Sequence, residues 1–289
     1  MATYLQSLLA SQELTPAEHT GLDAHKDEVE KFLRQEFGQD PVIKIAGSLS
    51  KGTAIKESYD LDIVVYFPDS DTRSLKQIYD DVDTKLSGRY TVELKNSAIR
   101  IHGLKTNEQN QDYHIDVVPG RFITGSKDVF LHIRNGDKER MQTNLKTHIE
   151  YVTKSDCQDA IKLVKIWKKR NNLSLRTFIL ELLVIRALDG YQSKTNPEMA
   201  FTKAMGVFST SMKVELTDPA NTNNVVSKLL SDQEKDTISR IAAETLKTIN
   251  ETNPNKWEII FRGNPLPRQS IATPAPITIN RPPSKPWLA

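Results

Sequence analysis

Cysteine is almost missing from this chain: Cys157 is the only one in 289 residues. A lone cysteine can build neither an intrachain disulfide framework nor a cysteine-based zinc site, and it fits a reducing cytoplasm. Charge of one sign is also missing. The 39 basic and 37 acidic side chains leave a net charge of +2, too little to argue for nucleic-acid binding by itself. No apolar run approaches the length of a membrane span. The start, MATYLQSLLASQEL, has no basic n-region and no continuous h-region, so a signal peptide is not expected. There is no internal repeat. What remains is a chain that is 38% hydrophobic and 26% charged, suited to a globular core in one large domain or two lobes sharing an interface.

The most informative stretch is 47–65, GSLSKGTAIKESYDLDIVV. A strand-like run, VIKIA, leads into Gly47-Ser48, and a second apolar run begins at Leu61. Asp60 and Asp62 sit at the mouth of that second run. Residues two apart in a strand point to one face. Two carboxylates held close on one face repel each other unless a cation lies between them. Hard divalent cations such as Mg²⁺ take oxygen ligands, usually one or two carboxylates plus substrate phosphates. Gly47 lets backbone approach a phosphate, Ser48 offers a hydroxyl and an amide, and a helix starting near Ser50 would turn its free N–H groups to the same anion. Either half of the pattern alone is commonplace, an Asp-x-Asp as a solvated turn and a Gly-Ser as a loop. The two in order, each beside a β-type run, are far more specific.

Around this stretch the pattern predicts a long amphipathic helix from Thr15-Pro16 to Phe37, stopped by Gly38. A second helix is expected from Ser74 to Leu86, then extended runs over 90–95, 98–104 and 112–118, with a polar connection at 108–111. His114, Asp116 and Val118 share a face of the third run. Asp116 is a lone carboxylate in an apolar strand, where an acid is disfavoured without a partner. A strand-edge acid is the plain reading and a metal ligand the sharper one. His114 lies on the same face and reads as structural, outside the site. Helices are expected over 138–152, 156–170, 175–188 with Ser174 as cap, 199–212, and from the capping box at Ser231 to about Asn250. Lys162, Lys165 and Lys169 form a stripe on the second of these. The last 26 residues hold seven prolines and no acid, too little apolar surface to order themselves, so a Pro-rich flexible tail is expected.

The Gly-Ser and Asp-x-Asp unit resembles the signature of the nucleotidyltransferase superfamily that includes DNA polymerase β. Three further blocks narrow the resemblance: LVKIWKKRN from Leu163, LRTFILE from Leu175, and DPANTNNV from Asp218. With Asp116 they look like the 2′-5′-oligoadenylate synthetase and cGAS/DncV-like (CD-NTase) group, over about Thr15 to Arg262. The resemblance implies an α+β fold, with a polymerase-β-like lobe of mixed sheet and helices packed on a helical lobe and braced by a long N-terminal helix. The corresponding divisions are 1–37, 38–136, 137–263 and the tail, 264–289. It implies that Asp60, Asp62 and Asp116 hold two Mg²⁺ ions (Mn²⁺ being the substitute), and that Gly47, Ser48, Lys165 and Thr177 meet the triphosphate. The family position at Thr177 is commonly Ser, and either hydroxyl can donate.

By the same resemblance the chain is a cytoplasmic synthase of a cyclic di- or trinucleotide messenger made from NTPs. The messenger would signal phage infection to an effector, with no membrane and no nucleic acid required. Bacterial systems of this kind often couple the enzyme's C-terminus to a target through a ubiquitin-like ligase. A small, exposed Ala289 suits that, and an ordinary frayed end is the equal alternative. Two rival functions use the same residues: an RNA-end or tRNA nucleotidyltransferase, which needs a basic groove, and a non-catalytic nucleotide-binding module.

Overall fold

The computed structural model describes residues 3–105 and 112–262. The connection at 108–111 and the tail at 264–289 lie outside the described residues. The chain opens with α1 (Tyr4–Ser11), a helix the sequence pattern did not announce. It is short, and three leucines (Leu5, Leu8 and Leu9) are its only buried residues. A helix of two turns has little intrinsic stability and draws it from packing. Next comes α2 (Pro16–Phe37), where the sequence places it. The Thr15 hydroxyl accepts from the Glu18 N–H and the Glu18 carboxylate accepts from the Thr15 N–H, closing a capping box.

The sheet begins with β1 (Val42–Ile45), a single helical turn α3 (Gly47–Ser50), and β2 (Leu61–Phe67). It continues through α4 (Leu75–Ser87), β3 (Thr91–Leu94), β4 (Ile99–Lys105) and β5 (Asp112–Phe122). The order is β1-β2-β5-β4-β3, and β2 pairs parallel with β5. A parallel pair needs a long crossover; here α4, β3 and β4 supply it. Two further strands, β6 (Val129–His132) and β7 (Arg140–Thr143), extend the sheet from the far half of β5.

The two faces of β2 have different fates. Leu61, Ile63, Val65 and Phe67 pack under α2 and α4, against Leu22, Val29, Leu33, Ile78 and Val82. Val64 and Tyr66, on the opposite face, pack with Val129 and Leu131 of β6 and with Met141 and Leu145. Asp62 shares that second face but sits beyond the cover that β6 and β7 give, at the open end of the strand.

The helical half holds α5 (Leu145–Thr153), α6 (Gln158–Arg170), α7 (Thr177–Ala187), α8 (Pro197–Thr210), a hairpin of β8 (Thr217–Asp218) and β9 (Asn221–Val225), α9 (Asp232–Asn250) and α10 (Lys256–Phe261). One apolar core fills it, around Trp167, Phe201, Phe208 and Phe261. The α1 leucines and Ile55, from the segment after α3, enter this core too. The N-terminal helices therefore divide the bracing: α1 packs on the helical core and α2 on the sheet core.

Two local expectations are corrected. The helix expected over 138–152 is a strand followed by a helix: β7 runs to Thr143, and Asn144 caps α5 by accepting from the Thr147 N–H at 3.1 Å. Asn144 was a readable stop between them, and its side chain is further pinned to Asp128 at 2.7 Å. The sheet thus runs past residue 136. Ser174 does not cap α7; Arg176 holds the cap position, and the Ser174 hydroxyl donates to Glu234 at 2.9 Å, tying α7 to α9. The Asp218 block forms the β8–β9 hairpin. Burial opposes the Asp218 charge, but His148 at 2.7 Å, the Ala220 N–H and Asn224 more than offset it, holding this carboxyl below its ordinary range.

Candidate active site

The site is built on the turn between β1 and β2. The Ala46 N–H donates to the Asp62 carbonyl at 2.8 Å, so the end of β1 lies against the start of β2. Gly47 then takes φ +64°, the left-handed region that favours glycine. A Cβ at Gly47 would lie 1.6 Å from Asp62 Oδ2. Glycine is required twice over, for its backbone and for the carboxylate that leans on it. The helical turn α3 begins at the Gly-Ser pair itself, and not near Ser50 as the spacing suggested. The Ser50 hydroxyl donates back to the Gly47 carbonyl at 3.0 Å, and the Thr53 N–H donates to the Ser48 carbonyl at 2.9 Å, closing the turn.

Strand register delivers the carboxylates. Asp62 on β2 stands directly opposite Asp116 on β5, and Asp60 is two residues upstream of Asp62. Burial and the charges of Asp116 and Asp60 push the Asp62 carboxyl up to about 7, against the relief that Lys51 and His114 provide. A buried carboxyl that also faces like charges is the environment expected of a functional site.

Two neighbours were not foreseen as parts of this site. His114, read as structural, has its Nε2 2.9 Å from Asp60 Oδ1, outside the alignment of a hydrogen bond, so the nitrogen is buried without a hydrogen-bond partner. Arg100 on β4 grips Asp116 with both arms, Nε to Oδ1 and Nη2 to Oδ2, each at 2.7 Å. Among the described residues no three His, Cys, Asp or Glu side chains are arranged as a metal cluster; both oxygens of Asp116 are engaged by Arg100. The donor chemistry itself fits a hard divalent cation: oxygen ligands only, and a buried carboxyl that resists ionising alone.

Behind the turn lies a buried polar cluster between the two halves. Lys51 Nζ is 2.7 Å from Glu181 Oε2, and the Thr53 hydroxyl donates to Glu181 Oε1 at 3.1 Å. Lys165 on α6 is 5% exposed and its ammonium donates to the Thr53 carbonyl at 2.7 Å. Burial drives the Lys165 pKa down to about 8, with the charge of Glu181 acting in the opposite sense. Thr177 opens α7, one turn before Glu181 on the same face of the helix. Neither Lys51 nor Glu181 was singled out from the sequence; nothing local marks a lysine and a glutamate 130 residues apart as partners.

Residues 26–144 match the family model of the nucleotidyltransferase domain, a span that contains Gly47, Ser48 and all three carboxylates. These residues form a nucleotidyltransferase domain. A curated relative of this chain is the cyclic AMP-AMP-AMP synthase of Escherichia coli strain MS 115-1, 22% identical over 228 residues, which are 67% of this chain and 71% of the relative. Its fold is that of the CD-NTases. It matches CdnG of Bradyrhizobium diazoefficiens, solved with GTP, at a TM-score of 0.73 and 12% identity over 91% of this chain and 96% of that one. It also matches E. coli MS115-1 CdnC, solved in complex with HORMA-deltaN, at a TM-score of 0.68 and 17% identity, covering 89% and 96% of the two chains. Among the described residues no helix of the chain is long and apolar enough to cross a membrane.

Proposed function

We propose that this nucleotidyltransferase condenses nucleoside triphosphates into a cyclic di- or trinucleotide messenger, releasing pyrophosphate, and that the product serves anti-phage signalling by activating an effector. The observation that carries the reading is the pairing of Asp62 with Asp116 across β2 and β5, beside the Gly47-Ser48 turn. The relative that makes cyclic AMP-AMP-AMP makes ATP the first substrate to test. A cytoplasmic location belongs to this reading. So does regulation through protein partners, either a ubiquitin-like ligase acting on Ala289 or a protein of the kind bound to CdnC.

In this reading Asp60, Asp62 and Asp116 hold two Mg²⁺ ions, with Mn²⁺ able to replace them. Bound there, the ions supply activation of a ribose hydroxyl and relief of charge on the leaving pyrophosphate. The chain's own residues do the rest. Gly47 keeps a side chain out of the space beside Asp62, so that Ser48 presents its amide and hydroxyl to the triphosphate. Thr177 adds a hydroxyl from α7. Lys165 adds positive potential through its hold on the Thr53 carbonyl, immediately behind the turn. Asp116 serves the nucleophile and accepts its proton. Positioning and charge compensation are the protein's contribution, and cyclisation requires two or more such steps in one site.

The test is incubation with the four NTPs and Mg²⁺, followed by mass spectrometry of phosphatase-resistant products. A cyclic product is expected from the native protein, and none from the double substitution Asp60→Ala with Asp62→Ala, which leaves the fold intact. Incorporation only into added RNA would instead make the protein an RNA-end nucleotidyltransferase, and native rates in the double variant would remove the carboxylates from the mechanism.

A further inference from the structure

A row of charge crosses the sheet at the open end of β2. In register, Glu93 on β3 faces Arg100 on β4, Arg100 faces Asp116 on β5, and Asp116 faces Asp62 on β2. Directly opposed residues in a sheet share a face and have their Cβ atoms about 5 Å apart. Arg100 therefore occupies the one position of β4 that stands opposite Asp116. Its fork matches the carboxylate with two bonds of 2.7 Å, the strongest geometry available to such a pair. The two side chains keep only 23% and 16% of their surface, so solvent screens them little. Arg100 thus stands in one register row with Asp116 and Asp62, two of the three carboxylates.

We infer that Arg100 is an internal counter-ion for the carboxylate site: in the ligand-free protein its fork holds both oxygens of Asp116, and a divalent cation binds only as that grip is given up. Arg100 is on this view a positioning residue that sets the site's affinity for cation. The inference rests on the assignment of Asp60, Asp62 and Asp116 as cation ligands.

The test is Mn²⁺ binding to the full chain without nucleotide, followed by electron paramagnetic resonance, with circular dichroism to establish that each variant is folded. Arg100→Gln is expected to bind Mn²⁺ about tenfold more tightly than the native chain, since a unit charge in contact with a ligand carboxylate is removed. Arg100→Lys keeps the charge and loses the fork, and should fall between the two; it carries the test if Arg100→Gln does not fold. In an Asp116→Asn background the substitution Arg100→Gln should bring no gain. Affinity unchanged or weakened in Arg100→Gln, or a gain that survives undiminished in the Asp116→Asn background, overturns the inference while leaving the ligand assignment standing. The separate control is Asp62→Asn: if Mn²⁺ binding is absent from both the native chain and Arg100→Gln, or is unaffected by Asp62→Asn, the ligand assignment itself fails and the counter-ion role goes with it.

Discussion

Gly47 is where the smallest change has the largest geometric consequence. Its φ of +64° and the 1.6 Å gap between an added Cβ and Asp62 Oδ2 leave no room for even a methyl group. Gly47→Ala should cost about 1–3 kcal/mol in a denaturant melt through backbone strain alone, and should abolish product formation by displacing the Asp62 carboxylate. Asp62 itself makes the site unstable when empty of positive charge. Its carboxyl stands near 7 in the fold against 3.8 as a free side chain. A raised carboxyl binds its proton more tightly when folded, so its contribution is full below about pH 4 and is lost as pH rises through 7. The loss is no more than about 4 kcal/mol, and less here because Asp62 keeps some access to solvent. The expected result is a melting temperature, measured without divalent cations, that falls between pH 5 and pH 8. Asp62→Asn should flatten that slope, and Mg²⁺ at pH 8 should restore stability to the native chain.

At the scale of elements, the decisive contact joins the end of α3 to the middle of α7. Glu181 is 1% exposed and satisfies both the Lys51 ammonium and the Thr53 hydroxyl. A buried ion pair is costly to break from one side, because an uncompensated charge stays behind. Glu181→Ala should therefore destabilise by about 3–5 kcal/mol in chemical denaturation. The double substitution Lys51→Met with Glu181→Leu, which removes both charges and keeps apolar volume, should recover most of that loss. Turnover should fall in both variants, since the turn carrying Ser48 loses its tether to the helical half. The strand β7 teaches a related lesson. Its four residues read as the start of a helix because Leu145 and Val152 continue a helical period, while the Asn144 cap between them is a single residue against a long pattern. Pairing with β6 decided the matter, as tertiary context overrides propensity in strands.

At the scale of the whole molecule, the two halves are joined by their first dozen residues as well as by the site. The leucines of α1 are part of the helical core. Gln12 bonds Glu57 twice, at 2.9 and 3.1 Å, and Glu57 receives Arg170 of α6 at 2.5 Å. The segment after α3 is thereby held from two sides, by the end of α1 and by α6. Deleting residues 1–12 exposes the surface that Leu5, Leu8 and Leu9 cover, and each fully buried leucine is worth about 1.5–3 kcal/mol. The expected outcome is a melting temperature lower by ten degrees or more, about that much for several kcal/mol lost in a chain of this size, with the α2 and sheet half losing less protection in hydrogen exchange than α6 to α10.

Much of this was written along the chain itself. The helix from Thr15 to Phe37, the Gly-Ser turn before Asp-x-Asp, and Asp116 as an acid in an apolar strand are all local patterns, legible because caps, glycine and alternation act within a few residues. The sequence by itself determined the elements that carry the three carboxylates and the kind of reaction they suit. It did not determine what faces them. Arg100 meets Asp116 only through the register of β4 on β5, and Lys51 meets Glu181 only because the two halves close on each other. Register and lobe packing are set by the burial of entire faces, a sum over many residues distant in sequence. For that reason the partners that restrain the site emerged only in three dimensions.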